Sequence, residues 1–282
     1  MARTQVSADH SVTASVDTDW LIARLDDPNV RVIEVDVSRA RYDQGHIPGA
    51  VLWNVYADLH HSDYSPIERD ELERLLSRSG ISRSSTVVFY GYAPFLGFWL
   101  LKSCGHERVR VLNASRERWI SRDLPWTNEP PGEHRSAYSL SAVELSDFAS
   151  IDAVRSAIGK PGQKIVDVRS QAEYEGDRFW PSGATEGAGR AGHIPGAIHL
   201  PVELLRTEDG SFKSTEEIGA LLAERGIDQA NGVVTYCTVG GRAAEAWFVL
   251  SQLLGRADAR VYLGSWAEWG SRADTPIEAE KG

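Results

Sequence analysis

Hydrophobic and polar positions along the chain follow one pattern, and they follow it twice. Short β-branched runs alternate with stretches whose apolar residues recur at helical spacing. In the first half the runs Val30–Val37 and Ala50–Val55 predict two strands, and Arg69–Arg78 a helix. Val87–Tyr90 then predicts a buried strand, Phe95–Ser103 a helix and Val109–Leu112 a last strand. The second half repeats that order, with strands expected at Lys164–Val168, Ala197–Leu200, Val233–Tyr236 and Arg260–Leu263 and helices at Thr215–Arg225 and Arg242–Leu254. The first of these helices opens on Ser214-Thr215-Glu216-Glu217, a capping pattern. Strands that alternate with helices predict an α/β fold in which each half is a parallel sheet flanked by helices.

The two halves are copies. Gly-His-Ile-Pro-Gly-Ala occurs at Gly45–Ala50 and again, 147 positions on, at Gly192–Ala197. The run ending at Tyr90 reads like the run ending at Cys237 at the same spacing, which sets Tyr90 against Cys237. Leu75–Ile81 is likewise echoed by Leu221–Ile227. A duplication over so much of the chain means two tandem domains rather than a short solenoid period. Pro125, Pro130, Pro131 and Gly132 punctuate the stretch Trp126–Ser139, which lacks apolar periodicity and reads as a linker. The expected division is a first domain over 1–128, a linker over 129–142 and a second domain over 143–282. The second copy carries an insertion at Gly176–Ala191, which points to a loop on its substrate side.

Composition narrows the functional classes. The chain has 282 residues, 42% of them hydrophobic, enough for two real cores. Thirty basic against forty acidic residues leave a net charge of −10, the wrong sign for a nucleic-acid or anionic-membrane binder. No apolar run approaches the ~20 residues of a membrane span. Residues 1–20 carry Asp9, Asp17 and Asp19 without an apolar stretch, unlike a signal peptide, so a cytoplasmic protein is expected. Two cysteines, Cys104 and Cys237, make neither a disulfide scaffold nor a zinc site, and no metal or cofactor is expected.

Of the two thiols, Cys237 has the chemical setting. It closes a strand, and Thr238, Val239, Gly240, Gly241 and Arg242 lead from it into a helix. In a parallel sheet that is where sites form, because helix N–H groups without partners point there and stabilise an anion. The paired glycines let successive N–H groups converge into a nest, and Arg242 adds a fork for an oxyanion. Four residues separate Cys237 from Arg242, one fewer than in a phosphatase cradle, so the loop suits the smaller terminal sulfur of a persulfide. Cys104 instead ends a helix beside Gly105, a helix-stopping position.

With these residues in hand the chain resembles the tandem rhodanese (thiosulfate sulfurtransferase) family nearly end to end. The likeness rests on both Gly-His-Ile-Pro-Gly-Ala strings, on Asp167-Val168-Arg169-Ser170, on the Cys237–Arg242 loop and on Tyr262-Leu263-Gly264-Ser265-Trp266 with Trp269. It implies two rhodanese domains, the first inactive because Tyr90-Gly91 stands where the nucleophile belongs, and a sulfur-transfer cycle on Cys237. Cys237 takes a sulfane sulfur from thiosulfate and passes it to a thiophilic acceptor, either cyanide or a thiol, with a protein acceptor as a further possibility. Two departures bear on the donor. Thr238 stands where many thiosulfate users have a basic residue, and Glu173 where the mercaptopyruvate branch has an arginine. The alternatives are a 3-mercaptopyruvate sulfurtransferase, which the second departure and the loop disfavour, and a non-enzymatic persulfide carrier or interaction module. By the same matching Arg169 and Arg190 attract an anionic donor or form surface salt bridges. Asp167 orients the loop or an arginine, and Trp266 walls the pocket or packs. His46 and His193 recur in both copies and are expected to be structural.

Overall fold

The structure, a computed structural model, describes residues 14–132, 135–140, 147–185, 189–208 and 210–279. Residues 1–13, and parts of the expected linker (133–134, 141–142) and of the second-copy insertion (186–188), lie outside the described residues. The first sheet begins with β1 (Ser15–Val16), and α1 (Thr18–Ile22) leads into β2 (Val30–Asp36). Then come α2 (Arg39–Gln44), β3 (Val51–Asn54), α3 (Val55–Leu59) and α4 (Arg69–Arg78). The central strand β4 (Thr86–Gly91), α5 (Pro94–Ser103), β5 (Val109–Leu112) and α6 (Arg116–Ser121) complete the copy. The strands pair in parallel in the order β1-β5-β4-β2-β3.

The second copy opens with α7 (Ile151–Ala157), β6 (Gln163–Asp167), α8 (Gln171–Tyr174) and β7 (Ile198–His199). A 3₁₀ turn at Val202–Leu205 precedes α9 (Thr215–Glu224), β8 (Gly232–Tyr236) and α10 (Gly241–Phe248). A π-helical turn over Val249–Leu253 prolongs α10, and β9 (Ala259–Val261) and α11 (Ser265–Ser271) finish the copy. These strands pair in parallel in the order β7-β6-β8-β9. Where β1 lies in the first sheet, a single parallel bridge from Phe148 to Val261 stands in the second. Both central strands are buried along nearly their whole length, as β-branched runs covered by helices on two faces should be.

The chain divides by contact density into two compact units, Met1–Asn54 with Arg69–Ser141, and Val55–Glu68 with Ala142–Gly282. Val55–Glu68, drawn from the first copy, therefore departs from the boundary expected of the sequence. Its anchors explain the difference. The His60 ring lies against the Leu263 carbonyl at 3.4 Å, and Tyr64 tilts over Trp180 with ring centroids 5.7 Å apart.

The expected linker is docked rather than free. Thr127 exchanges two backbone hydrogen bonds with His46, and Glu278 does the same with His193 at the end of the second copy. Tyr138 and Leu140 are buried against the first unit, Tyr138 within 2.9 Å of His106 Nδ1. The two motif histidines are structural, as expected. Each stacks on a tyrosine, His46 on Tyr42 at 3.9 Å and His193 on Tyr174 at 3.8 Å, and lies against that tyrosine's carbonyl.

Two sequence pairings need correcting. The structure sets Tyr90 against Tyr236, not Cys237, because each phenol accepts from the isoleucine N–H of its Gly-His-Ile-Pro-Gly-Ala turn, Ile47 or Ile194. The spacing of the copies thus falls from 147 at that turn to 146 at the central strand, and Gly91 occupies the position of Cys237. Asp36, the acid near the end of the run Val30–Val37, reads in the sequence as the match of Asp167 near the end of Lys164–Val168, but the equivalent is Glu34, which pairs across the sheet with Tyr90 as Asp167 does with Tyr236.

Candidate active site

Cys237 lies one residue past β8 and four before α10, at the carboxyl edge of the second sheet, with 2% of its surface exposed. Its turn needs glycine at one position. Gly240 has φ +86°, and a Cβ there would lie 2.4 Å from Leu263 Cδ1. The turn is braced from the other side by the start of α11. Ser265 Oγ accepts from the Cys237 N–H at 3.1 Å and donates to the Tyr262 carbonyl at 2.8 Å. The Cys237 and Thr238 carbonyls accept from the N–H groups of Trp266 and Ala267. Ser265 is held at φ +52°, a strained value for a residue with a side chain. Although Ser265 lies in a string that marks the family, its contact with Cys237 is not written in local periodicity.

Below the turn runs a buried polar network. Asp167 and Arg169 are both fully buried and joined by four hydrogen bonds of 2.6–3.1 Å, three from the guanidinium and one from the Arg169 N–H. Arg169 also donates to the Gly192 carbonyl at 2.7 Å and lies over the Trp266 ring at 4.5 Å. Burial works against its charge, and the adjacent Asp167 carboxylate restores it. Tyr236 donates its hydroxyl to Asp167; burial and that carboxylate push its phenol far above the usual range, so it remains a donor. Arg169 thus clamps the end of β6, the motif turn and α11 together beneath Cys237. It is sealed inside the unit, neither a surface salt bridge nor exposed to an incoming anion.

Arg190, an exposed residue, is turned onto its own unit. Its guanidinium donates to the Thr275 hydroxyl at 2.7 Å and to the Arg272 carbonyl, closing the end of α11. Trp266, wholly buried, donates its indole N–H to the Arg190 carbonyl at 3.1 Å. It packs, and no open pocket wall is formed by its ring.

The first copy builds the same network from different residues. Tyr90 donates to Glu34, and Arg116 pairs with Glu34 and donates to the Gly45 carbonyl at 2.5 Å, the counterpart of Gly192. Arg116 lies over Trp126 at 4.7 Å, as Arg169 lies over Trp266. The arginine and the tryptophan come from different places in the chain: Arg116 opens α6 and Trp126 follows that helix, whereas Arg169 follows β6 and Trp266 lies in α11. The turn above that network is different. Gly91 has φ +105°, a Cβ there would lie 2.8 Å from the Val35 carbonyl, and Pro94 opens α5 only three residues later. There is no room for a nucleophile, nor for a loop of amides.

The cradle at Cys237 carries its own counterion. Glu173, on the first turn of α8, takes both arms of Arg242, Oε2 from Nη1 at 2.8 Å and Oε1 from Nη2 at 2.7 Å. Thr238 donates its hydroxyl to Glu173 Oε1 and accepts from Arg242 Nη2, each at 2.7 Å. Ser170 adds its N–H at 3.1 Å and its hydroxyl at 2.7 Å. Burial alone would raise the Glu173 carboxyl, but Arg242, Thr238 and Ser170 hold it down at about 2. The fork of Arg242 expected to meet an oxyanion is therefore filled by a carboxylate of the protein. Thr238 has a role that its sequence position did not disclose, the third corner of this lock.

Cys104, by contrast, caps α5, is buried, and has its thiol pushed up to about 12 by burial. Neither cysteine is in a disulfide.

A parallel sheet with a turn-held cysteine at its carboxyl edge, duplicated with only one copy bearing a thiol at that place, defines a tandem α/β protein with one candidate nucleophile. The rhodanese-like domain model matches residues 17–122 and 150–272, so the chain belongs to the rhodanese family, a sulfurtransferase family. A Thermus thermophilus protein named sulfur carrier protein TtuD is 40% identical to it, over 93% of this chain and 95% of that one. A Haloferax volcanii protein named "Putative thiosulfate sulfurtransferase" is 37% identical, over 96% of this chain and 98% of its own. Among solved structures, the anaerobic ergothioneine biosynthesis enzyme from Chlorobium limicola superposes with a TM-score of 0.80 at 24% identity, over 96% of this chain and 71% of that one, a likeness of fold. No helix among the described residues is long and apolar enough to cross a membrane.

Proposed function

We propose that Cys237 takes the outer sulfur of thiosulfate as a persulfide and delivers it to a thiophilic acceptor, cyanide or a thiol. The observation that carries this reading is the position of Cys237 itself, the one thiol of the chain at a strand-to-helix turn. The Cys237 thiolate attacks the outer sulfur, the S–S bond breaks, and sulfite leaves with the bonding pair. In the second step the acceptor attacks the terminal persulfide sulfur and returns the thiolate. N–H groups of the first turn of α10, which have no partner within their helix, are placed to stabilise the terminal sulfur anion. Ser265 and Trp266 hold the turn from behind, and the Asp167–Arg169–Tyr236 network fixes its base. The named relatives support thiosulfate as donor. The sulfur carrier among them favours a second reading, in which a protein thiol is the acceptor. Glu173 in the fork of Arg242 speaks against a carboxylate-bearing donor such as 3-mercaptopyruvate. Two unpaired cysteines suit the reducing cytoplasm.

The intact mass of the reduced protein, taken before and after thiosulfate and again after cyanide, tests the cycle. One sulfur atom should be gained, then lost as thiocyanate, and Cys237→Ser should gain none. A wild-type protein that gains sulfur from no donor would leave only the interaction-module reading.

A further inference from the structure

We infer that Glu173 is a specificity-determining residue, a fixed counterion that screens Arg242 and limits how far the Cys237 site favours doubly charged sulfur donors such as thiosulfate over singly charged ones. This rests on the reading of Cys237 as the sulfur-accepting thiol. Glu173, Thr238 and Arg242 form a closed triangle at the mouth of the Cys237 turn, each corner bonded to the other two at 2.7–2.8 Å. The Glu173 side chain is 1% exposed and that of Arg242 is 20% exposed, so the arginine is the partner that meets the surface and the carboxylate is sealed. Of two further arginines, Arg169 is sealed inside with Asp167, and Arg190, though exposed, spends its guanidinium on the Thr275 hydroxyl and the Arg272 carbonyl at the end of α11.

An approaching anion therefore meets a guanidinium whose charge is already balanced. Electrostatic work scales with the charge of the approaching group, so the screening falls hardest on a dianion. Thiosulfate carries two charges, whereas methanethiosulfonate carries one and presents the same kind of S–S bond. In both cases the Cys237 thiolate takes the outer sulfur and becomes the persulfide. Sulfite leaves from thiosulfate, methanesulfinate from the thiosulfonate, and the charge balances on both sides.

Glu173→Gln keeps the shape and the hydrogen-bonding oxygen of the side chain but removes its charge. In this variant the KM for loading from thiosulfate is expected to fall about tenfold, and that for methanethiosulfonate by the square root of the same factor, about threefold. Any change in the maximal loading rate should be the same for both donors, because the bonds from Glu173 to Thr238 and Arg242 act on the turn whichever donor is used. The variant's KM for thiosulfate should rise with added salt, whereas that of the wild type should be nearly flat. Single-turnover loading of both proteins by both donors, followed by intact mass, reads all of this, with a thermal melt to verify folding. Glu173→Asp should retain the wild-type preference.

Equal KM changes for the two donors, or a loss of maximal rate without a KM shift, would overturn the proposal and make Glu173 a brace of the loop. If Glu173→Gln proves unfolded, Glu173→Asp and the salt response of the wild type decide instead: a wild-type KM for thiosulfate that climbs steeply with salt would show an unscreened cation and sink the idea. Failure of the wild type to load from either donor would refute the sulfur-transfer reading rather than this one.

Discussion

Two cysteines of the same chain are buried to the same degree, yet their surroundings oppose each other. Cys104 ends a helix among apolar side chains, and burial pushes its thiol up to about 12. Cys237 stands at a helix start, with its backbone held by Ser265 and Trp266. Cys237→Ser should therefore abolish sulfur loading. Cys104→Ser should leave it intact while costing about 1–3 kcal/mol for the buried hydroxyl, read from a denaturant titration. Comparable losses of transfer in both variants would contradict a single site. Ser265→Ala should lower stability by about 1–2 kcal/mol by orphaning the buried Cys237 N–H, and slow loading with it. Unchanged loading would demote Ser265 to packing. At this scale the candidate nucleophile was legible in the sequence, because a cysteine before two glycines and a helix is a local pattern. Ser265 and the partner of Arg242 were not, since they come from 28 and 69 positions away.

Elements decide why one copy holds a thiol and the other does not. In the second copy four residues link Cys237 to Arg242, with Gly240 turning left-handed beneath Leu263. The first copy goes from Gly91 to Pro94 with two residues between, and helix α5 begins before a nest can form. Gly91→Cys should consequently create no second site. Its Cβ would crowd the Val35 carbonyl at a φ of +105°, and loading measured in a Cys237→Ser background should stay at zero. Gly240→Ala should cost about 1–3 kcal/mol and most of the loading rate, from the same backbone strain and the contact with Leu263. The long strands and amphipathic helices were readable from periodicity. The short elements β1, α2, α6, α7 and α11 were not, because two to seven residues hold too few turns of either period to show one. The slip from 147 to 146 was visible in Leu75–Ile81 against Leu221–Ile227, where the chain already runs at the shorter spacing.

Buried charge governs the molecule as a whole. Arg169→Ala would leave Asp167 charged and unpaired at zero exposure, and should cost about 3–5 kcal/mol of unfolding free energy. Glu173 gives stability a definite pH signature. Its carboxyl is depressed from 4.5 to about 2 in the folded protein, so its contribution is complete above 4.5 and is lost as pH falls towards 2. The size is roughly 3 kcal/mol, at ~1.4 kcal/mol per pKa unit. Glu34, Glu245 and Glu268 lie on the other side of the balance. Burial raises each of them, so each adds stability as pH falls through its folded value. Denaturant midpoints should thus hold or rise slightly from neutral pH into the mildly acid range and drop steeply below about 4. Glu173→Gln should flatten that drop, and an unaltered acid limb in the variant would mean that the depressed carboxyl lies elsewhere.

The sequence by itself determined that the chain is two α/β copies, that one carries a cysteine at the strand-to-helix turn, and that the motif histidines are structural. Each of these follows from patterns shorter than a strand-turn-helix unit or from the identity of two strings. The tertiary structure alone decided where the charges go. It seals Arg169 under the turn, rebuilds the same clamp around Arg116 from another point in the chain, and closes the fork of Arg242 on Glu173. Such pairs join residues on different elements, and an ion pair leaves no periodic trace in either one. Whether an arginine faces an incoming anion or a carboxylate of its own protein depends on distances that exist only once the sheet has brought its strand ends together.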